Sequence, residues 1–289
     1  MYSLGAIQRH PTNEVIMESL PFYELLQDSR NYNIVNEDGP ISYPSHFHKK
    51  IELTYVKRGT VTSRVAEQEI VVNEGEILFV PEYYPHSYNC SDDALRIIVL
   101  PPSLYYTDVS NVMQKRTFQR VLANKKFNEE KILPILNTML AAQNDNSDTP
   151  EYAFLMVKGF INALFGQLAI GYADSIVSES KEMGLIVDIL NYIDKNYNED
   201  ITLDSIANKF NYNKFYFSKL FNVHLGENLN NYVNSVRVRK IAKLMTNTPL
   251  GTENITSLAF KNGFNSMPSF YRAFQKVFHC TPTEYFKMK

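Results

Sequence analysis

Between residues 203 and 286 one apolar skeleton occurs twice, and this duplication constrains the fold more than any other feature of the 289-residue chain. The first copy is Ala207, Phe217, Phe221 and Tyr232; the second is Ala259, Phe270, Phe274 and Tyr285, at offsets of 52, 53, 53 and 53 residues. Each copy reads as a short helix carrying the Ala, a tight turn, a second helix carrying two Phe, and a closing Tyr. That is a helix-turn-helix, whose second helix can enter the DNA major groove. A solenoid would need at least three such units. Two copies joined by one long helix therefore predict a tandem DNA reader.

Local chemistry supports each element. Thr202 is placed to cap a helix holding Leu203, Ile206, Ala207 and Phe210, and Asn213 to cap the next, Lys214 to Leu225, which Gly226 ends. In the second copy Ile255, Leu258 and Ala259 form the first helix and Gly263 makes the turn. Ser266 caps the helix of Phe270, Ala273 and Phe274, with Pro268 in its first turn, where a missing N–H costs nothing. Leu229 to Thr246 is the connecting helix, ended by Pro249.

The stretches "LDSIANKFNYNKFYFSKLFNVHLG" and "ITSLAFKNGFNSMPSFYRAFQKVFHCTPTEYF" resemble the DNA-binding domain of AraC/XylS-type transcription regulators. The family's second-unit pattern is met by Gly263-Phe264, Phe270 and Phe274, Thr281-Pro282 and Tyr285. Asn211 and His279 stand where the family usually has Gly. Both positions are expected to need positive φ, which Asn and His tolerate better than most residues, at a modest cost in stability.

The residues that the core does not use define a DNA face. On the first recognition helix these are Lys214, Phe215, Ser218, Lys219 and Asn222; on the second, Met267, Pro268, Ser269, Tyr271 and Arg272. Arg272 is assigned to a base edge, Lys219 to base or phosphate, and Phe215 or Tyr271 to a thymine methyl. Arg237 and Arg239 on the connecting helix are read as phosphate or intradomain salt-bridge residues. Charge agrees: residues 183–289 carry 13 Lys+Arg against 8 Asp+Glu, a balance of +5 in a chain whose net charge is −2. The remainder is acidic, as a separate sensing domain beside a DNA reader would be.

Residues 30–100 read as short β-strands separated by turns, a sandwich or barrel. They contain Gly39-x6-His46-x-His48-x3-Glu52-x6-Gly59 and then Gly75-x5-Pro81-x4-His86-x2-Asn89. These stretches resemble the paired motifs of the cupin barrel, which the AraC/XylS family places ahead of its DNA-binding domain. Three of the chain's six histidines fall in this constellation. Three imidazoles and a carboxylate (His46, His48, His86 and Glu52) suit Zn, Mn, Fe, Ni or Cu. The family resemblance points instead to a small organic effector, in a pocket lined by some of His46, His48, Glu52, Tyr55, Arg64, Tyr84, His86 and Tyr88, whose aromatic faces and hydrogen-bonding tips suit a sugar or related polar molecule. No cofactor is required by that reading, and a divalent metal is its alternative.

Ser110 to Ala123, Glu129 to Gln143 and Glu151 to Tyr172 have helical spacing. The last is long enough for a membrane span, but Lys158, Asn162 and Gln167 interrupt it. It reads as a helix buried against the barrel and a second subunit. The expected organisation is a two-domain chain. A cupin-like all-β barrel (1–109) precedes a helical dimerisation region (110–173), a linker (174–182) and an all-α tandem helix-turn-helix domain (183–289). Met1 to Leu20 has no signal-peptide pattern, and Cys90 and Cys280 make no redox spacing, which predicts a reduced cytoplasmic setting. The expected function is an effector-responsive, sequence-specific transcription regulator, not an enzyme. Its implied partners are double-stranded DNA, a second copy of itself and, for an activator, RNA polymerase. The rivals are a cupin metalloenzyme carrying a DNA-binding module and an effector-independent DNA-binding protein.

Overall fold

The computed structural model describes residues 22–24, 33–66, 68–101, 116–144, 150–178, 180–247 and 254–287. Its N-terminal half is built on two five-stranded sheets. The first orders β1 (Phe22–Tyr23), β3 (Ser42–Phe47), β8 (His86–Cys90), β5 (Thr60–Val65) and β6 (Gln68–Asn73). The second orders β11 (Val121–Leu122), β7 (Ile77–Val80), β4 (Glu52–Arg58), β9 (Leu95–Leu100) and β2 (Asn33–Asp38). All described pairings are antiparallel except β1 with β3.

Because side chains alternate along a strand, β4 and β7 each face two interiors. Val56, Leu78 and Val80 meet Val61, Val65, Val72, Tyr84 and Cys90 between the sheets. Leu53, Tyr55, Ile77 and Phe79 face the other way. They meet Ile161, Leu164, Phe165 and Leu168 of the helix Pro150–Gly171 (α3), and Leu136 and Met139 of the helix Leu133–Asn144 (α2). Lys125–Phe127 (α1) and a π-turn, Asn128–Ile132, lead into α2. Asn128, fully buried, pins this layer: its Nδ2 donates to the carbonyls of Gly75 and Leu122, both at 2.9 Å, and its Oδ1 accepts from the Tyr172 hydroxyl at 2.7 Å.

Two predicted boundaries are corrected. Within the expected helix Ser110 to Ala123, the described part is extended: β10 (Arg116–Phe118) and β11. Thr117 and Phe118 are buried there, and β-branched Val121 pairs across to Leu78. The expected linker 174–182 is folded onto the barrel. Its β12 (Ile176–Ser178) pairs with β10, and Ser180 caps the next helix by accepting from the Met183 N–H. Among the described residues no helix is long and apolar enough to cross a membrane.

The C-terminal half is helical, as read. It comprises α4 (Lys181–Asn196), α5 (Leu203–Phe210), α6 (Lys214–Leu225), α7 (Leu229–Asn247), α8 (Ile255–Lys261), α9 (Met267–Phe278) and α10 (Pro282–Lys287). Thr202 and Ser205 form a capping box, while Asn213, Asn254 and Ser266 cap α6, α8 and α9. Asn211 and His279 do adopt the left-handed conformation, with φ of 60° and 55°. The connecting helix α7 gives Tyr232, Val233 and Val236 to the first unit's core and Val238, Ile241, Ala242 and Met245 to the second's.

Asn128→Ala is expected to cost about 1–3 kcal/mol, because it removes two buried hydrogen bonds to carbonyls and the acceptor of the Tyr172 hydroxyl. Urea denaturation checks this; a loss under about 0.5 kcal/mol would show that water replaces the amide.

Candidate functional site

Two constellations carry chemistry. The first is the exposed side of the tandem helix-turn-helix. On α6, Lys214, Phe215, Lys219 and Asn222 are exposed and Ser218 is half-buried. Lys214 lies 3.1 Å from Asp204, so part of its charge is already balanced. On α9, Tyr271 and Arg272 are exposed, and the Arg272 guanidinium donates to Ser269 Oγ at 3.3 Å. Gln275 continues this face one turn on, beside Tyr271, Arg272, Lys276 and His279 around a shallow concavity. The sequence reading did not name Gln275, although its spacing from Tyr271 and Arg272 was visible. Lys276 reaches Glu227 after α6 at 3.2 Å and so ties the two units together.

Three assigned DNA contacts are corrected. Met267 is half-buried and packs on the second unit's core, because the start of α9 tilts that residue inward. Arg237 is buried: its Nε donates to the Tyr197 carbonyl at 2.7 Å and its Nη2 to the Glu199 carbonyl at 2.8 Å. It satisfies carbonyls around the end of α4, not a phosphate. Arg239 stacks over the Tyr23 ring, 4.0 Å from its centroid, and therefore faces the barrel.

The second constellation lies inside the barrel. His46 is the penultimate residue of β3, on its inner side, His48 follows two residues later, Glu52 opens β4 and His86 opens β8 directly opposite His46. All four are buried, and one donor atom from each lies within 4.8 Å of the others. Each Nδ1 faces a backbone carbonyl: His46 that of Pro44 (3.0 Å), His48 that of Lys50 (2.9 Å) and His86 that of Tyr84 (2.8 Å). A carbonyl only accepts, so each Nδ1 carries a hydrogen and Nε2 is left as each ring's atom facing the cluster.

Glu52 Oε2 sits 3.1 Å from His48 Nε2 and 3.6 Å from His86 Nε2, while its Oε1 accepts from the Tyr88 hydroxyl. Burial pushes the Glu52 carboxyl up, but the facing His48 and His86 rings outweigh it and hold the carboxyl well below its ordinary range. Burial, then the neighbouring His86, pushes His46 down. Burial and the charge of Glu52 push Tyr88 up, keeping its hydroxyl protonated. His86 Nε2 is buried with no hydrogen-bond partner. Glu52 Oε2, at 3.6 Å, lies just beyond hydrogen-bond reach of it.

The other expected lining residues scatter. Tyr88 joins the cluster. Tyr84 packs in the barrel core, its ring under Arg120 at 4.5 Å, and contributes only its carbonyl to His86. Tyr55 lies on the opposite face of β4 from Glu52, among the helices, and Arg64 is exposed on the outer face of β5. Both are corrections, and the cause is strand parity: Tyr55 is three residues from Glu52, and Arg64 is one from buried Ser63. Glu24, which the sequence reading missed, brings Oε2 to 3.8 Å from His46 Nε2. Its signal was invisible because β1 reaches the site only by pairing beside β3.

Comparisons agree with both halves. A helix-turn-helix domain model matches residues 206–288 and a cupin domain model matches residues 36–101. The Transposon Tn10 TetD protein of Escherichia coli is 35% identical over 105 residues, 36% of this chain and 74% of its own length. The chain belongs to the AraC/XylS-type transcription regulators. The uncharacterized HTH-type transcriptional regulator YdeC of Bacillus subtilis is 25% identical over 257 residues, covering 85% of this chain and 86% of its own. Among solved structures, ToxT of Vibrio cholerae aligns over 89% of this chain and 96% of its own, at 14% identity and a TM-score of 0.46. This regulator carries a DNA-binding helix-turn-helix domain behind a cupin-type barrel.

On that footing, Arg272→Ala is expected to weaken binding to its operator by about 1–3 kcal/mol and to relax one base position. Equal losses on specific and random DNA would reduce Arg272 to a phosphate contact.

Proposed function

We propose that this chain is a dimeric, sequence-specific transcription regulator, not an enzyme, whose barrel takes a divalent metal ion as its effector or as an effector's anchor. The observation that carries the reading is the arrangement of His46, His48 and His86. Each ring is oriented by a carbonyl behind it, His48 and His86 bring Nε2 to Glu52, and a donor atom of His46 lies within 4.8 Å of theirs. Such outer hydrogen bonds fix the tautomer that a metal needs. The orphaned His86 Nε2 fits the same donor set. Three imidazoles and one carboxylate suit Zn, Fe, Mn, Ni or Cu, and Glu52 would balance one of such an ion's two positive charges. A polar organic ligand such as a sugar is less well supported, since Tyr55 and Arg64 lie off the interior.

Metal analysis of the purified protein is the test. The expected stoichiometry is about one ion per chain, falling to near zero in His86→Ala. Operator affinity, read by anisotropy at about 150 mM salt with random competitor, is expected to change when a chelator strips the ion. No metal, and no response to chelator or added ion, would leave the cluster as a buried hydrogen-bond network.

Dimerisation is proposed through α3. Phe160, half-buried against the barrel, does not suit this role, because its loss would disturb the fold. Leu155 and Ile170 are 63% and 75% exposed on the same helix. Leu155→Asp/Ile170→Asp is expected to lower the sedimentation coefficient with the circular dichroism spectrum unchanged. A dimer that persists in this variant would place the interface elsewhere.

A further inference from the structure

We infer that β3 and its flanking turns form a relay that couples the barrel site directly to the first helix-turn-helix unit, with the Lys49–Asp194–Lys240 ion pair as its clasp. The inference rests on the reading of the His/Glu cluster only for what occupies the site; the mechanical coupling is a property of the chain itself.

Alternation along the chain sets up the relay. His46 and His48 face the barrel interior, while Phe47 between them points out and is fully buried in the first unit's core, in one cluster with Ile189, Ile193, Phe221 and Tyr232. The Phe47 and Tyr232 rings lie 6.5 Å apart. The same split recurs at the end of β1, where Tyr23 packs edge-on to Phe47 at 5.3 Å and stacks under Arg239 of α7, and Glu24, just after the strand, turns to His46. It recurs again before β8. The Tyr83 N–H donates to the His48 carbonyl at 2.8 Å, and the Tyr83 ring lies in the same first-unit core, three residues ahead of His86. Tyr83 holds a φ of 62°, a conformation that a bulky residue keeps only where its surroundings demand it.

Lys49, next to His48, closes the contact with a 2.5 Å ion pair to Asp194 of α4, which also takes Lys240 of α7 at 3.0 Å. The second unit's core contains no barrel residue among the described ones. A shift of the β3 backbone that re-seats His46 and His48 also moves Phe47 and Lys49, because consecutive residues share one backbone while their side chains leave it on opposite faces. Close-packed interfaces transmit such shifts instead of absorbing them.

The test is hydrogen exchange of the full chain, comparing wild type with Asp194→Ala, whose change lies wholly in the DNA-binding half. Residues 44–50 and 81–88 are expected to exchange about tenfold faster or more, with 254–287 unchanged. Lys195→Ala, an exposed neighbour on the same helix, is the control and is expected to change neither. Should Asp194→Ala fail to fold, Lys49→Ala breaks the clasp from the other side. Unchanged exchange at 44–50 with the clasp broken would overturn the relay.

Cobalt(II), whose absorption bands report its ligands, then probes the site. Coupling is reciprocal, so Asp194→Ala is expected to shift the cobalt dissociation constant by about 5-fold or more. If wild type binds no cobalt, the metal reading fails while exchange still decides the relay. If cobalt binds with the same constant in both proteins, the relay is refuted and the metal reading stands.

Discussion

The two-residue period of a pleated strand is the constraint on which this molecule depends. On β4, Glu52 and Val56 serve the space between the sheets, while Leu53 and Tyr55 serve the helical layer. Around the end of β3 the division is sharper, with His46 and His48 inside the barrel and Phe47 in the DNA-binding half. Single strands thus border two interiors at once. Repacking either face of such a strand therefore disturbs the interior on its other face.

The helical half has an equivalent element in α7. One face of this helix completes the first unit's core and the next stretch completes the second's, so the spacing between recognition helices is set by a single rigid rod. Arg237 stands where the two cores meet. It holds carbonyls near the end of α4, and Gly263 turns so close to it that a Cβ there would lie 2.9 Å from Arg237 Nε. The positive φ of 91° and the lack of space both call for glycine. Lys276 and Glu227 add a second tie across the units. A cation on this helix is therefore not automatically a phosphate contact, because burial and aromatic neighbours engage Arg237 and Arg239 first.

Much of this was legible in the chain. The duplicated Ala, Phe, Phe and Tyr positions marked both units, and the caps Thr202, Asn213 and Ser266 fell where local hydrogen bonding put them. The same holds for Asn211 and His279, whose left-handed backbone follows from their place at helix ends. His46, His48, Glu52 and His86 were also brought together as expected. The failures share a cause. Tyr55 and Arg64 were misassigned because a strand's facing parity cannot be read until its partners are known. Residues 116–122 have helical spacing yet form two short strands, because pairing with β7 and β12 decides their conformation. Glu24 gave no sign at all, since its approach to His46 depends on a long-range pairing.

The sequence by itself determined the modules: helix starts and stops, the paired helix-turn-helix skeleton, the strands, and the donor types gathered in one barrel. These follow from interactions spanning a few residues, or from a repeat that needs no partner to be seen. Only the tertiary structure decided which way Phe47, Tyr83 and Arg239 point, that residues 176–178 form a strand, and that Asp194 holds cations from both halves of the chain. Those outcomes depend on burial and pairing between segments far apart in sequence, where local propensity is silent and packing chooses.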